Sequence, residues 1–189
     1  MQEQTIIVAV RVTHVLEGLG IPCVICGSLA SATYGYMRTT YDADIVADIQ
    51  PDQVPAVVEA LSADFYIDPD TVADAVARGS SFNVIHLETV LKVDVFVCAG
   101  NEFCQIELAR SVPQGIGPDT YRLLSPEDTV LAKLLWYRQG GEVSERQWDD
   151  VIGVITMQGD WLDQAHLNEW SRRLGVSDLL VRALSAGRA

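Results

Sequence analysis

Apolar residues recur at helical spacing over residues 3–18, at Ile7, Val8, Val12, Val15 and Leu16, and Gly18 and Gly20 supply the stop. The continuous apolar run from Ile21 to Cys26 reads as a short buried strand. After Gly27-Ser28, the small residues from Leu29 to Tyr36 suit a tightly packed helix. Ile45 to Ile49 reads as a second strand, Pro51 opens a helix over 52–61, and 70–78 reads as another short helix. Phe82–Leu87 and Val90–Val97 both alternate, which predicts neighbouring strands turned near Glu88-Thr89. Residues 100–124 are ambiguous; Pro113, Gly115, Gly117 and Pro118 make loop and edge structure the expectation.

The pattern changes at Ser125. Ser125-Pro126-Glu127-Asp128 is a helix start, with a capping serine, proline at the first position and acids in the first turn. That helix runs to about Gln139 and ends at Gly140-Gly141. Ser144-Glu145-Arg146-Gln147 has the form of a capping box for a helix reaching Gln158. Two more helices follow, over 163–173 and 177–186, and Trp136, Trp148, Trp161 and Trp170 all lie in this part. The expected organisation is an α/β unit over 1–124 followed by a helical sub-domain over 125–189 with aromatic packing.

At 49% hydrophobic residues, the chain is too apolar for general disorder. No apolar run reaches the roughly 18 residues of a membrane span. Glu3, Arg11 and Glu17 interrupt the start where a signal peptide would be apolar, so a soluble, cytoplasmic protein without a membrane partner is expected. The net charge is −13, and residues 1–95 carry 4 basic against 13 acidic groups. Generic nucleic-acid binding is disfavoured, because such affinity rests on neutralising phosphate with cations. Arg172, Arg173, Arg182 and Arg188 are the one candidate for a local basic platform. Cys23 and Cys26 form C-x-x-C inside an apparent strand, where positions three apart face opposite sides, so they read as small buried hydrophobes.

The candidate chemistry lies in Val24-Ile25-Cys26-Gly27-Ser28, then Asp42-Ala43-Asp44-Ile45, then Lys92-Val93-Asp94-Val95. At strand spacing Asp42 and Asp44 share one face, where two carboxylates repel unless a cation sits between them. Asp94 interrupts a second apolar strand, a costly place for an unpaired acid. Lys92 shares a face with Asp94. A strand, a glycine, a serine and a helix in succession form a layout that can hold phosphate, with backbone N–H groups presented at the helix start. Lys133 lies at the edge of an apolar stripe, where a snorkelling surface lysine is the ordinary case. Arg38 is placed either to contact phosphate or to pair with Asp42. Asp149 and Asp150 read as a solvated helix face as readily as a site.

These motifs together resemble the nucleotidyltransferase superfamily with the DNA polymerase β-like palm. Cys26-Gly27-Ser28, a gap of thirteen residues, and Asp42-Ala43-Asp44-Ile45 match its first signature. Gly27-Ser28-x9-Arg38-Thr39-Thr40-x-Asp42-x-Asp44 is similar to the branch containing the AbiEii-type toxins. Lys92-x-Asp94 resembles the second motif, Ser125-Pro126-Glu127 with Lys133 and Arg138 the third, and Ser144-x-Arg146 with Asp149-Asp150 a fourth. Ala43 is a smaller occupant of a usually larger hydrophobic position, and the gap is long; neither removes a ligand.

The resemblance implies an α/β (α+β) palm with a mixed sheet flanked by helices. It implies transfer of a nucleoside monophosphate from an NTP such as ATP to a hydroxyl acceptor (small molecule, protein or RNA), releasing pyrophosphate. Asp42, Asp44 and Asp94 would hold two Mg²⁺ or Mn²⁺ ions and carry catalysis. Gly27, Ser28, Arg38, Lys92 and Lys133 would bind the nucleotide. The branch implies a toxin role and an antitoxin partner. A competing reading keeps the fold as a catalytically degenerate nucleotide- or protein-binding module.

Overall fold

A computed structural model describes residues 2–37 and 39–187. Arg38 and Arg188 therefore lie outside the described residues. The chain divides into two compact units, one from residues 1–26 with 39–124 and the other from 27–38 with 125–189. The expected sub-domain boundary at 124/125 thus meets a difference: the segment 27–38 groups with the C-terminal helices.

In the first unit, α1 spans Gln2–Gly18 and β1 Cys23–Cys26. β2 spans Asp42–Ala47 and begins three residues before the strand expected from Ile45, because aspartate and alanine weaken the sequence signal at its start. A 3₁₀ turn at Pro51–Gln53 leads into α3, Val54–Leu61. The short β3, Phe65–Tyr66, precedes α4, Pro69–Arg78, which is capped by Asp68 accepting from the Thr71 N–H at 2.7 Å. β4, Ser81–His86, and β5, Lys92–Val97, are the two expected neighbours.

Residues 100–124 are more ordered than the sequence implies. They form α5, Glu102–Arg110, and a hairpin of β6, Val112–Ile116, with β7, Asp119–Leu123. Asn101 caps α5 by accepting from the Cys104 N–H at 3.2 Å. β6 is an edge strand, where Pro113 and Gly115 are tolerated.

Among the described residues the strands form one seven-stranded sheet in the order β3-β4-β5-β2-β1-β7-β6. It is mixed: β2 runs parallel to β5 and β1 parallel to β7, while the other neighbours are antiparallel. One face is apolar, with Ala43, Ile45, Val93, Val95, Phe82 and Val84 all buried. α1 packs on β1, β2 and β7 through a stripe that includes the buried Val8, Val12 and Leu16. Each such aliphatic side chain stabilises the fold by about 1.5–3 kcal/mol when fully buried. The opposite face carries the even-numbered residues of β2 and β5, among them the acids.

In the second unit, α2 spans Gly27–Tyr34, α6 Pro126–Gln139, α7 Glu145–Gln158, α8 Gln164–Arg173 and α9 Ser177–Gly187. The caps expected from sequence are present: Ser125 accepts from Asp128 N–H at 3.1 Å and Ser144 from Gln147 N–H at 3.3 Å. α2 packs on α6 and α7. Its end approaches α7 so closely that a Cβ on Gly35 would lie 2.7 Å from the Val154 backbone nitrogen. The aromatic packing is uneven, with Trp170 buried and Trp161 91% exposed. Among the described residues no helix is long and apolar enough to cross a membrane.

Candidate active site

The candidate site begins with register. The parallel β2–β5 ladder sets Asp42 beside Lys92 and Asp44 beside Asp94. Because laterally paired residues project on the same side and i, i+2 residues share a face, all four side chains belong to one face of the sheet. Neighbouring strands are about 4.8 Å apart and i, i+2 residues on one strand about 6–7 Å, which sets the spacing of the three acids along this face. Asn83 of β4 stands beside Asp94, and Cys26 of β1 stands beside Asp44, so the row continues across four strands. The acids are half-buried, between apolar residues that face the core.

Hydrogen bonds help to fix this row. The Thr40 hydroxyl donates to Asp42 Oδ1 at 2.8 Å, and the Thr40 carbonyl accepts from the Thr5 hydroxyl at 3.3 Å, tying the start of β2 to α1. Lys92 Nζ donates to Asp94 Oδ2 at 2.6 Å. That bond raises the Lys92 pKa above its ordinary value; partial burial opposes the rise, and the charges of Asp94, Asp42 and Asp44 reinforce it. The ammonium therefore feels all three carboxylates.

Gly27 follows Cys26 and opens α2 with φ +60°, a left-handed conformation that glycine adopts without steric cost. It makes the sharp turn from strand into helix at this point. Ser28 is half-buried.

No protein-family model and no curated relative matches the sequence. Solved structures do match in three dimensions. A nucleotidyltransferase-like antigenic protein from Paracoccidioides brasiliensis has a TM-score of 0.58 at 17% identity, over 97% of this chain and 93% of that one. The antibiotic-resistance factor ANT(2'')-Ia has a TM-score of 0.57 at 12% identity, over 96% and 99%. The chain has a nucleotidyltransferase-like fold. The mixed sheet with flanking helices expected from the sequence agrees with that finding.

Within this nucleotidyltransferase-like fold, the donor set can be tested against a divalent cation. Among the described residues no three His, Cys, Asp or Glu side chains form a ready-made metal cage. Magnesium does not require one. It takes hard oxygens, commonly one or two carboxylates, and fills its octahedron with water and substrate phosphate. Asp42, Asp44 and Asp94 supply hard oxygens on adjacent strands, so the residues fit the ion.

Lys133 is in a different setting. It is 2% exposed, on α6, with Nζ 2.8 Å from Asp150 Oδ2 and 3.1 Å from Gln147 Oε1. The snorkelling surface lysine that the stripe suggests is therefore replaced by a buried ion pair with α7. Asp150, read as equally at home on a solvated face, is its partner, whereas Asp149 is exposed. A second buried pair joins His166 Nε2 to Asp128 Oδ1 at 2.6 Å. Arg138 Nη2 reaches both carboxylate oxygens of Asp178, at 2.6 and 2.7 Å, and Arg138 forms an ion pair with Glu142 at 3.0 Å.

The arginines proposed as a basic platform are engaged locally. Arg173 stacks on Trp170 at 4.2 Å, Arg182 stacks on Trp148 at 4.0 Å, and Arg172 donates to the Asn168 carbonyl at 2.9 Å. The helical unit also holds a cavity of about 450 Å³ lined by Tyr137, Glu142, Glu145, Trp148, Asp149 and Arg182, residues that no sequence motif brought together. Cys23 and Cys26 are buried, as expected of small hydrophobes, while Cys98 and Cys104 form a disulfide that no spacing rule had signalled.

Proposed function

We propose that the protein is a divalent-metal-dependent nucleotidyltransferase that moves a nucleoside monophosphate from an NTP to a hydroxyl acceptor. The observation that carries this reading is the β2–β5 register, which sets Asp44 beside Asp94 with Asp42 on the same face. The three half-buried acids there are hard-oxygen donors of the kind that a divalent cation takes together with water and substrate phosphate.

Mg²⁺ or Mn²⁺, when bound, neutralises triphosphate charge and stabilises the entering and leaving oxygens. Asp42, Asp44 and Asp94 would hold the metal–nucleotide complex, with Asp42 oriented by Thr40. Asp94 accepts the proton of the acceptor hydroxyl as its oxygen bonds to the α-phosphorus; the bond to the β-phosphate breaks and pyrophosphate departs. The sequence resemblance assigns Gly27 and Ser28, with backbone N–H groups and a hydroxyl, to the β and γ phosphates. Lys92 supplies positive charge next to the acids; the sequence resemblance also assigns Arg38 and Lys133 to the nucleotide, but Lys133 is held in the buried pair with Asp150. This chemistry asks for positioning and charge compensation more than for covalent help, which suits a rigid sheet as the platform. The strongly acidic chain favours a small or protein acceptor over RNA.

The test is pyrophosphate release and label transfer from each NTP in the presence of Mg²⁺ or Mn²⁺. Wild-type protein gives metal-dependent release that Asp44→Ala abolishes while remaining folded. Undiminished release by Asp44→Ala contradicts the proposal.

On the Gly27-Ser28 to Asp44 string alone we extend the reading to a toxin of the AbiEii type held by an antitoxin partner in the cytoplasm. Expression of the chain by itself then arrests growth, and Asp44→Ala relieves the arrest. Normal growth with active enzyme sets the extension aside and leaves the transferase reading in place.

A further inference from the structure

Lys92 is the residue for which the geometry says more than the sequence motif. Its ammonium lies on Asp94 Oδ2 at 2.6 Å, and its Cα is paired with that of Asp42. The side chain of Lys92 is 45% exposed and that of Asp94 22% exposed. A cation bonded to the carboxylate that the reading above gives to a metal competes with that metal. A pair this open to solvent is also weak, because water and salt screen it. The four-carbon stem lets the ammonium swing away without moving the strand.

We infer that Lys92 is a resident counter-ion of the carboxylate row: it holds Asp94 until a divalent cation arrives, then yields the carboxylate and turns to the incoming phosphates. The inference rests on the metal-dependent reading above. It assigns Lys92 a positioning role with opposite signs in two states. Without nucleotide, Lys92 lowers metal affinity by competing for Asp94 and by repelling the ion. With metal–nucleotide bound, it raises affinity by meeting phosphate charge.

The test is Mn²⁺ binding by the full chain, measured by paramagnetic resonance of the free ion, for wild type, Lys92→Met and Lys92→Arg. Removing a competing exposed ion pair strengthens Mn²⁺ binding about two- to five-fold in Lys92→Met, while Lys92→Arg stays near wild type. In the same samples, Lys92→Met binds Mn²⁺–NTP more weakly than wild type. A crossover of sign between the two titrations supports the inference, and a purely structural lysine produces no crossover. If wild type binds Mn²⁺ and Lys92→Met binds it equally or less well, this inference is overturned and the metal site stands. If neither protein binds Mn²⁺, with both folded by circular dichroism, the metal-dependent reading falls and this inference falls with it.

Discussion

Each unit holds one lysine–aspartate pair, and the two differ in their exposure to water. Lys92–Asp94 and Lys133–Asp150 have nearly the same separation, 2.6 and 2.8 Å. The first pair has 45% and 22% side-chain exposure, the second 3% and 7%. The comparison teaches that distance does not set the worth of an ion pair; solvent does. A pair in water gains little and exchanges readily. Breaking a dry pair leaves one charge buried without compensation. The helical unit therefore uses its lysine to lock α6 to α7, and the sheet unit keeps its lysine movable.

The sharpest way to break this comparison is Lys133→Met. We expect a loss of about 3–5 kcal/mol in chemical denaturation, because Asp150 is left buried and charged. The double variant Lys133→Met with Asp150→Leu recovers much of that loss, since a matched apolar pair removes both charges. A small effect of the single variant would mean that solvent reaches this pair.

Gly35→Ala tests the tightness of the same unit. The added methyl would meet the α7 backbone at 2.7 Å, and overpacking of this kind costs about 1–3 kcal/mol. The measurement is again the denaturation midpoint.

Burial in the sheet unit has a pH signature. Burial, with the charge of Glu17 adding to it, pushes the Cys23 thiol from 9.0 up to about 12. The folded state thus holds this proton more tightly than the unfolded chain. The contribution is complete below pH 9 and is lost as pH rises toward 12. Unfolding free energy falls by as much as about 1.4 kcal/mol per pH unit in that window, a slope absent from Cys23→Ala.

The smallest effect belongs to Lys92→Met, about 0.2–1 kcal/mol at neutral pH. The Lys92 pKa is raised, so its contribution is present below 10.5 and fades as pH climbs past the raised value. A loss as large as that of Lys133→Met would erase the distinction between the two pairs.

The same contrast explains what could be read in the sequence. Asp42 and Asp44 share a face because a strand alternates, and Ser125 with Pro126 caps α6 for local reasons; both are legible over a few neighbouring residues. The pairing of Asp44 with Asp94 needs the parallel β2–β5 register, which only the motif resemblance anticipated. Lys133 and Asp150 lie on different helices, and no local pattern marks a lysine as buried when its partner comes from elsewhere. α5 and the β6–β7 hairpin escaped because the prolines and glycines at 113–118 suggest loop, whereas an edge strand tolerates them. The grouping of residues 27–38 with the C-terminal helices is a long-range packing event, carried in part by the contact of Gly35 with α7.

The central claim is that the acid row on β2 and β5 is a metal–nucleotide site. Its most direct test is thermal unfolding with ATP, GTP, CTP and UTP, with and without Mg²⁺, for wild type and Asp44→Ala. Ligand at about 100 times its dissociation constant stabilises by roughly 2.7 kcal/mol, a shift of several degrees. The account predicts a Mg²⁺-dependent shift with at least one nucleotide in wild type and none in Asp44→Ala. Equal shifts in both proteins, or no shift in wild type at millimolar nucleotide, would contradict it.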